Sequence, residues 1–141
     1  MIALGTLLSV SGLGSATATD MVGVAHPQRA QHQWVMHCQG CHGVNADGTP
    51  GGAPRMAGRV ARFLHAQQGR AFLARVPGVA FVELSDRDVA QLLNWLVQYF
   101  DPGHVPKDFQ PYTADEVRIL RQEPLISRAL EERQQIMRAL Q

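Results

Sequence analysis

Two cysteines and a histidine stand together at Cys38-Gln39-Gly40-Cys41-His42. This C-x-x-C-H spacing suits covalent attachment of haem c. Two thiols three residues apart on a helical turn reach the two vinyl groups on one edge of a porphyrin. The next residue, His42, then meets the iron from the proximal face, and Gly40 leaves room for backbone packed hard against the ring. Other chemistries open to two thiols fit less well. A redox dithiol of the thioredoxin kind needs a preceding strand in a βαβ context, and residues 33–37 show no strand alternation. A structural zinc site takes four ligands, and the chain has only 2 Cys. A disulfide leaves His42 without a role. The candidate cofactor-binding residues are therefore Cys38 and Cys41, the candidate metal ligand is His42, and the cofactor is one covalent haem c. No nucleophile or acid–base pair stands out elsewhere, so no residue is assigned as catalytic.

The elements that must position these residues follow from periodicity. Residues 28–38 read as a short helix delivering the motif, with Ala30, Trp34 and Val35 at near-helical spacing and Trp34 as core. His32 and His37 read as surface residues. Residues 43–58 are rich in Gly and Pro and read as loop, with Asp47-Gly48 and Pro50-Gly51 as turn dipeptides. Residues 59–75 have a mostly helical pattern broken near Gly69, and Val76-Pro77-Gly78-Val79 reads as an extended turn. The clearest helix is 85–100, where Ser85 caps, Asp88 sits three residues on, and Val89, Leu92, Leu93, Leu96, Val97 and Phe100 make one apolar face. Asp101-Pro102-Gly103 ends it. Beyond a Pro-rich link, Thr113 and Glu116 form a capping box for a helical tail interrupted at Pro124.

The chain has 141 residues, 45% of them hydrophobic, and a formal charge of +1. That is enough apolar content for one core, too little continuous hydrophobicity for a membrane span, and too little positive charge for a nucleic-acid binder. The first residues read as an export signal: a short apolar run, then small residues and an Ala16-Thr17-Ala18 cleavage pattern, although no Lys or Arg precedes the run. The expected division is a signal peptide at 1–18, a haem domain at 19–103, and a C-terminal linker and helical extension at 104–141. The expected location is periplasmic or secreted.

Together these residues resemble the class I c-type cytochrome family over roughly 28–100. The likeness rests on the C-x-x-C-H-G run at Cys38 to Gly43, on Pro54-Arg55-Met56-Ala57-Gly58, on the Pro77-Gly78 turn, and on Leu84-Ser85-Asp86 leading into a helix that carries Trp95-Leu96. The resemblance implies an all-α, cytochrome c-like domain around one covalently bound haem, with terminal helices crossing beside it. It also implies that the Pro54 carbonyl accepts a hydrogen bond from the proximal His42, orienting it as outer partners of metal-bound histidines do. The chain departs from the family in one place. The turn before the last helix, where the family carries an axial Met, holds none here. The candidates for the sixth ligand are Met56 and His65, with a vacant or water-held site lined by Val76 and Val79 as the alternative. Met36 is badly placed, Met137 reads as tail core, and His104 lies beyond the haem domain.

Between residues 43 and 82 stand Arg55, Arg59, Arg62, Arg70 and Arg75 against one acid, Asp47. Some of these suit haem propionates, since guanidinium binds carboxylate in bidentate fashion, and the rest suit an acidic redox partner. The function expected is electron transfer, not enzymatic turnover: one electron carried on haem c, accepted from a dehydrogenase and passed to the respiratory chain, by a free carrier or the cytochrome subunit of a dehydrogenase complex. The expected partner is a periplasmic dehydrogenase or oxidase. The alternative is a haem protein with an open or weakly held sixth site that binds a diatomic gas or reacts with peroxide.

Overall fold

The computed structural model describes residues 20–141. The expected export signal over 1–18, with its cleavage after Ala18, lies outside the described residues. Among these there are seven α-helices, two 3-10 turns and no strands, so the all-α fold class holds.

Helix α1 (Pro27–His37) starts on Pro27, whose fixed φ suits a first helical position, and buries Ala30 and Trp34. Its third expected apolar residue, Val35, faces out at 46% exposure, because it follows Trp34 by only about 100° around the helix. The chain then turns straight into α2 (Gln39–His42), one turn that carries the second Cys and the His. Residues 43–58 are loop, as their Gly and Pro content predicts, and the loop runs on through Arg59 and Val60. The expected helical stretch 59–75 divides into a 3-10 turn (Ala61–His65) and α3 (Gly69–Arg75). Gly69 marks the division: a Cβ there would overlap the Phe63 carbonyl group, so only glycine lets the two segments meet.

The turn at 76–79 is tighter than its sequence suggests. It forms α4 (Pro77–Ala80), with Pro77 at the first helical position and the Ala80 amide donating to the Val76 carbonyl at 2.9 Å. Helix α5 (Asp86–Phe100) is capped by Ser85, whose side chain accepts from the Asp88 amide. Its expected face is buried at Val89, Leu92, Leu93, Leu96 and Val97. Asn94 is buried as well, where the C-terminal segment covers α5 on a second side, and Trp95 is buried beside Phe100 in the cluster that holds Trp34.

Two apolar clusters hold the fold together. The first joins Trp34 of α1 to Leu92, Leu93, Trp95 and Leu96 of α5, with the Trp34 and Phe100 rings 4.7 Å apart. A residue buried like Trp34 contributes about 3–5 kcal/mol relative to alanine. The second gathers Phe63, Phe72, Val97, Leu125 and Ile136, and the last two come from the C-terminal segment.

That segment carries α6 (Ala114–Leu120), capped by Thr113 as its sequence predicts, and α7 (Ala129–Ala139). It packs along α5 and α3 with Tyr112, Val117, Leu125 and Ile136 buried. Two polar devices fasten it. The buried Asn94 accepts from the Tyr112 amide at 2.7 Å and donates to the carbonyls of Tyr112 and Gly23, both at 3.1 Å. The Arg121 guanidinium donates to the carbonyls of Ala80 (3.1 Å), Val82 (2.6 Å) and Leu84 (3.1 Å) and to the Asp86 carboxylate (2.8 Å). One side chain thus ties down alternate carbonyls of the segment between α4 and α5.

Candidate haem site

The motif spans the junction of two helices, with Cys38 as the C-cap of α1 and the N-cap of α2. The amides of Cys41 and His42 both donate to the Cys38 carbonyl, at 3.2 and 3.0 Å, so the two thiols stand one turn apart. Both are free. Cys38 is half-buried, and burial, with Cys41 adding to it, pushes its thiol up to about 11. A dithiol tuned for disulfide exchange needs the opposite shift. Among the described residues no three His, Cys, Asp or Glu side chains gather as a metal cluster.

The loop after the motif folds back on it. The Gly48 amide donates to the His42 carbonyl at 2.8 Å, and the Thr49 hydroxyl to the Cys41 carbonyl at 3.3 Å. Gly48 needs its left-handed φ of +78° and its missing side chain: a Cβ would meet the Ala53 carbonyl oxygen at 2.5 Å and the Arg55 nitrogen at 2.6 Å. Ala46, also left-handed at φ 56°, turns its carbonyl to accept from the amides of Met56 and Ala57 at 2.8 and 3.1 Å. The result is a ribbon that lays Pro54 beside His42.

His42 Nδ1 stands 3.2 Å from the Pro54 carbonyl oxygen. A carbonyl only accepts, so Nδ1 carries the proton and Nε2 keeps its lone pair. Burial lowers the pKa of His42, with the Pro54 carbonyl acting against it; the ring is held in the neutral form that ligates metal. Trp34, with its ring centroid 6.0 Å from that of His42, buttresses it from α1. Around the first cluster runs a rim of half-buried apolar groups to which Cys38 itself belongs, with Met56, Ala57, Leu64, Val79 and Val82. Two thiols on one turn, an imidazole with a free Nε2, and half-buried apolar groups packed on the same cluster as Cys38 suit a porphyrin edge, its iron and its hydrophobic face.

The expected arginine patch is smaller than its sequence suggests. Arg70 forms a bidentate pair with Glu116 of α6, with 2.7 Å for its second contact, and donates to the Gln110 carbonyl at 2.6 Å. Arg75 donates to the Glu123 carbonyl at 2.7 Å and faces Glu132 at 3.8 Å. Both are therefore spent on the C-terminal segment. Arg55 lies near Asp47 at 3.8 Å, and Arg59 and Arg62 have no carboxylate partner among the described residues. His65 is exposed, with Nε2 2.8 Å from the His104 carbonyl. Met56 is half-buried and packs against both clusters.

An all-α fold with a C-x-x-C-H turn, a carbonyl-tethered imidazole and an apolar rim defines a c-type cytochrome. No protein-family profile matches the chain. Two relatives, both called cytochrome c-552, come from Thermus thermophilus. The first is 32% identical over 121 residues, covering 73% of this chain and 82% of the relative. The second is 34% identical over 106 residues, covering 62% of this chain and 81% of the relative. The chain belongs to the c-type cytochrome family: it is an electron carrier whose cofactor is a covalently attached haem c.

Proposed function

We propose that Cys38 and Cys41 form the two thioether bonds to the haem vinyl groups and that His42 Nε2 is the proximal iron ligand. The observation that carries this is the Nδ1 contact with the Pro54 carbonyl, which fixes the tautomer and aims the ring from the same turn that bears the thiols. When bound, the haem holds one electron on its iron. The chain holds the haem, excludes water with the apolar rim, and keeps His42 neutral and oriented. Haem staining on a denaturing gel tests the attachment. The wild type stays stained, Cys38→Ser/Cys41→Ser loses the stain, and His42→Ala keeps the stain but changes the visible spectrum. A double serine variant that stays stained would end this reading.

The haem domain spans 19–103 with 104–141 as its extension, and the chain is exported, with cleavage after Ala18. The apolar run and small-residue pattern at its start support export. N-terminal sequencing of periplasmic protein should begin at Thr19. The electron donor is a periplasmic dehydrogenase and the acceptor lies in the respiratory chain, with the chain acting freely or as a dehydrogenase's cytochrome subunit. A single haem, small size and the lack of any other reactive constellation favour a relay over an enzyme. Among the described residues no helix is long and apolar enough to cross a membrane. A pull-down from periplasm with the haem-loaded protein should retain a dehydrogenase that reduces it.

A further inference from the structure

A haem held by His42 on one face presents a sixth coordination position on the other. Filling it takes a sulfur, an imidazole or an amine, and the chain has few. Of its five Met, Met1 lies outside the described residues. Met56, the best placed by sequence, stands on His42's own side. It follows by two residues the Pro54 carbonyl that receives His42 Nδ1, and its amide is tied to Ala46 in the ribbon bonded to the His42 carbonyl. Its side chain is packed between the two clusters.

His65 points elsewhere. Its Nε2 meets the His104 carbonyl at 2.8 Å, while His104 Nδ1 meets the buried Asp101 at 2.6 Å. Asp101 in turn accepts from the Ala61 amide at 2.9 Å, so both histidines are bound into the joint between the two 3-10 turns. His32, Met36 and His37 are exposed on α1. Met21 packs on the first cluster in the N-terminal arm, Met137 on the second from α7. His26 and Lys107 are exposed at the start of α1 and in the link. Residues 76–84, whose Val79 and Val82 share the rim with Cys38, contain no Met, His, Cys or Lys. Arg121 pins their carbonyls in place.

We infer that no side chain of this protein ligates the iron opposite His42, and that this position is a binding site for a small neutral ligand of the carbon monoxide or nitric oxide type. Neutrality follows from the apolar character of residues 76–84, whose Val79 and Val82 pack on the same cluster as Cys38, because burying an anion against such groups without a paired cation is costly. The inference rests on the attachment proposed above through Cys38, Cys41 and His42.

The test uses the haem-loaded full chain and carbon monoxide as the probe. The reduced protein should show a high-spin spectrum, and carbon monoxide should convert it completely to a sharp low-spin form. His65→Ala, remote from the bond formed, should leave carbon monoxide affinity within about twofold, and neither it nor Met56→Leu should change the spin state of the reduced protein. A thioether-linked haem that is low-spin when reduced and ignores carbon monoxide overturns the inference alone. Whichever of the two variants then turns high-spin identifies the ligand. Haem that dissociates on denaturation would instead overturn the attachment itself.

Discussion

Replacing Arg121 with alanine should cost about 2–4 kcal/mol of stability. The side chain is only 16% exposed, and its fork makes four hydrogen bonds, to three carbonyls and the Asp86 carboxylate. A charge-assisted hydrogen bond is worth about 1.5–3 kcal/mol. The four cannot be summed, because they share one cation and because water reaches the neighbourhood of the exposed Phe81 and Glu83 once the fork has gone. The ion pair with the two-thirds-covered Asp86 contributes least. For a chain of this size, an unfolding entropy of about 2.1 cal/mol/K per residue makes each kcal/mol worth roughly 4 °C, so Tm should fall by about 8–16 °C. Urea unfolding of the haem-loaded protein, followed by tryptophan fluorescence and far-ultraviolet circular dichroism together, measures the loss. Arg121→Lys keeps the charge but cannot span three carbonyls, and should lose more than half as much. A loss below about 0.5 kcal/mol for the alanine variant, or full retention with lysine, would refute the view that the fork fastens residues 80–84.

Asn94→Leu should destabilise by about 3–5 kcal/mol, since it strands the buried Tyr112 amide and two carbonyls; the same unfolding assay checks this. Gly69→Ala should cost at least about 2 kcal/mol through overpacking against the Phe63 carbonyl, while Gly78→Ala, with nothing within 4 Å of its Cβ, should be nearly neutral. Gly48→Ala should displace the Pro54 peptide, cost about 1–3 kcal/mol in backbone strain, and, with His42 as the proposed iron ligand, raise the midpoint potential by weakening the hydrogen bond to its Nδ1. The Arg29 hydrogen bond, opposed in part by burial and aided by Ser85, lowers the pKa of Asp88. Asp88 therefore adds stability that is full above the ordinary Asp value of about 3.9 and is lost as pH falls through the lowered folded value. In Arg29→Gln, NMR titration should find the Asp88 midpoint moved up toward the ordinary range.

What the sequence shows and hides follows from the range of the forces involved. Ser85 with Asp88 and Thr113 with Glu116 are caps made within four residues, and both stand where their local signature places them. Trp34 and the α5 stripe are set by helical period alone. The acidic partners of Arg70 and Arg75 lie 46 and 48 or more positions away, and no local pattern announces such pairings, so a window rich in arginine reads as a patch when two of its charges are already neutralised. Asn94 sits among apolar neighbours on α5, and a polar residue there reads as solvent-facing until the C-terminal segment is seen to cover it. The 3-10 turn at Ala61–His65 has the same apolar spacing as the start of an α-helix. What separates them is the close approach at Gly69, a contact that periodicity does not encode.

The N-terminal arm is held by residues made much later. Gln98 clasps both backbone groups of Val22 across 76 positions, and Asn94 reaches the Gly23 carbonyl across 71. A chain synthesised from its amino end presents its thiol pair well before these clasps exist. Cys38 and Cys41 thus emerge on a segment with nothing yet to close upon, accessible to the machinery that the proposed haem attachment requires. The arrival of α5 then fastens the arm and ends that interval, so the order of events is written into the spacing between the clasp and the residues it holds.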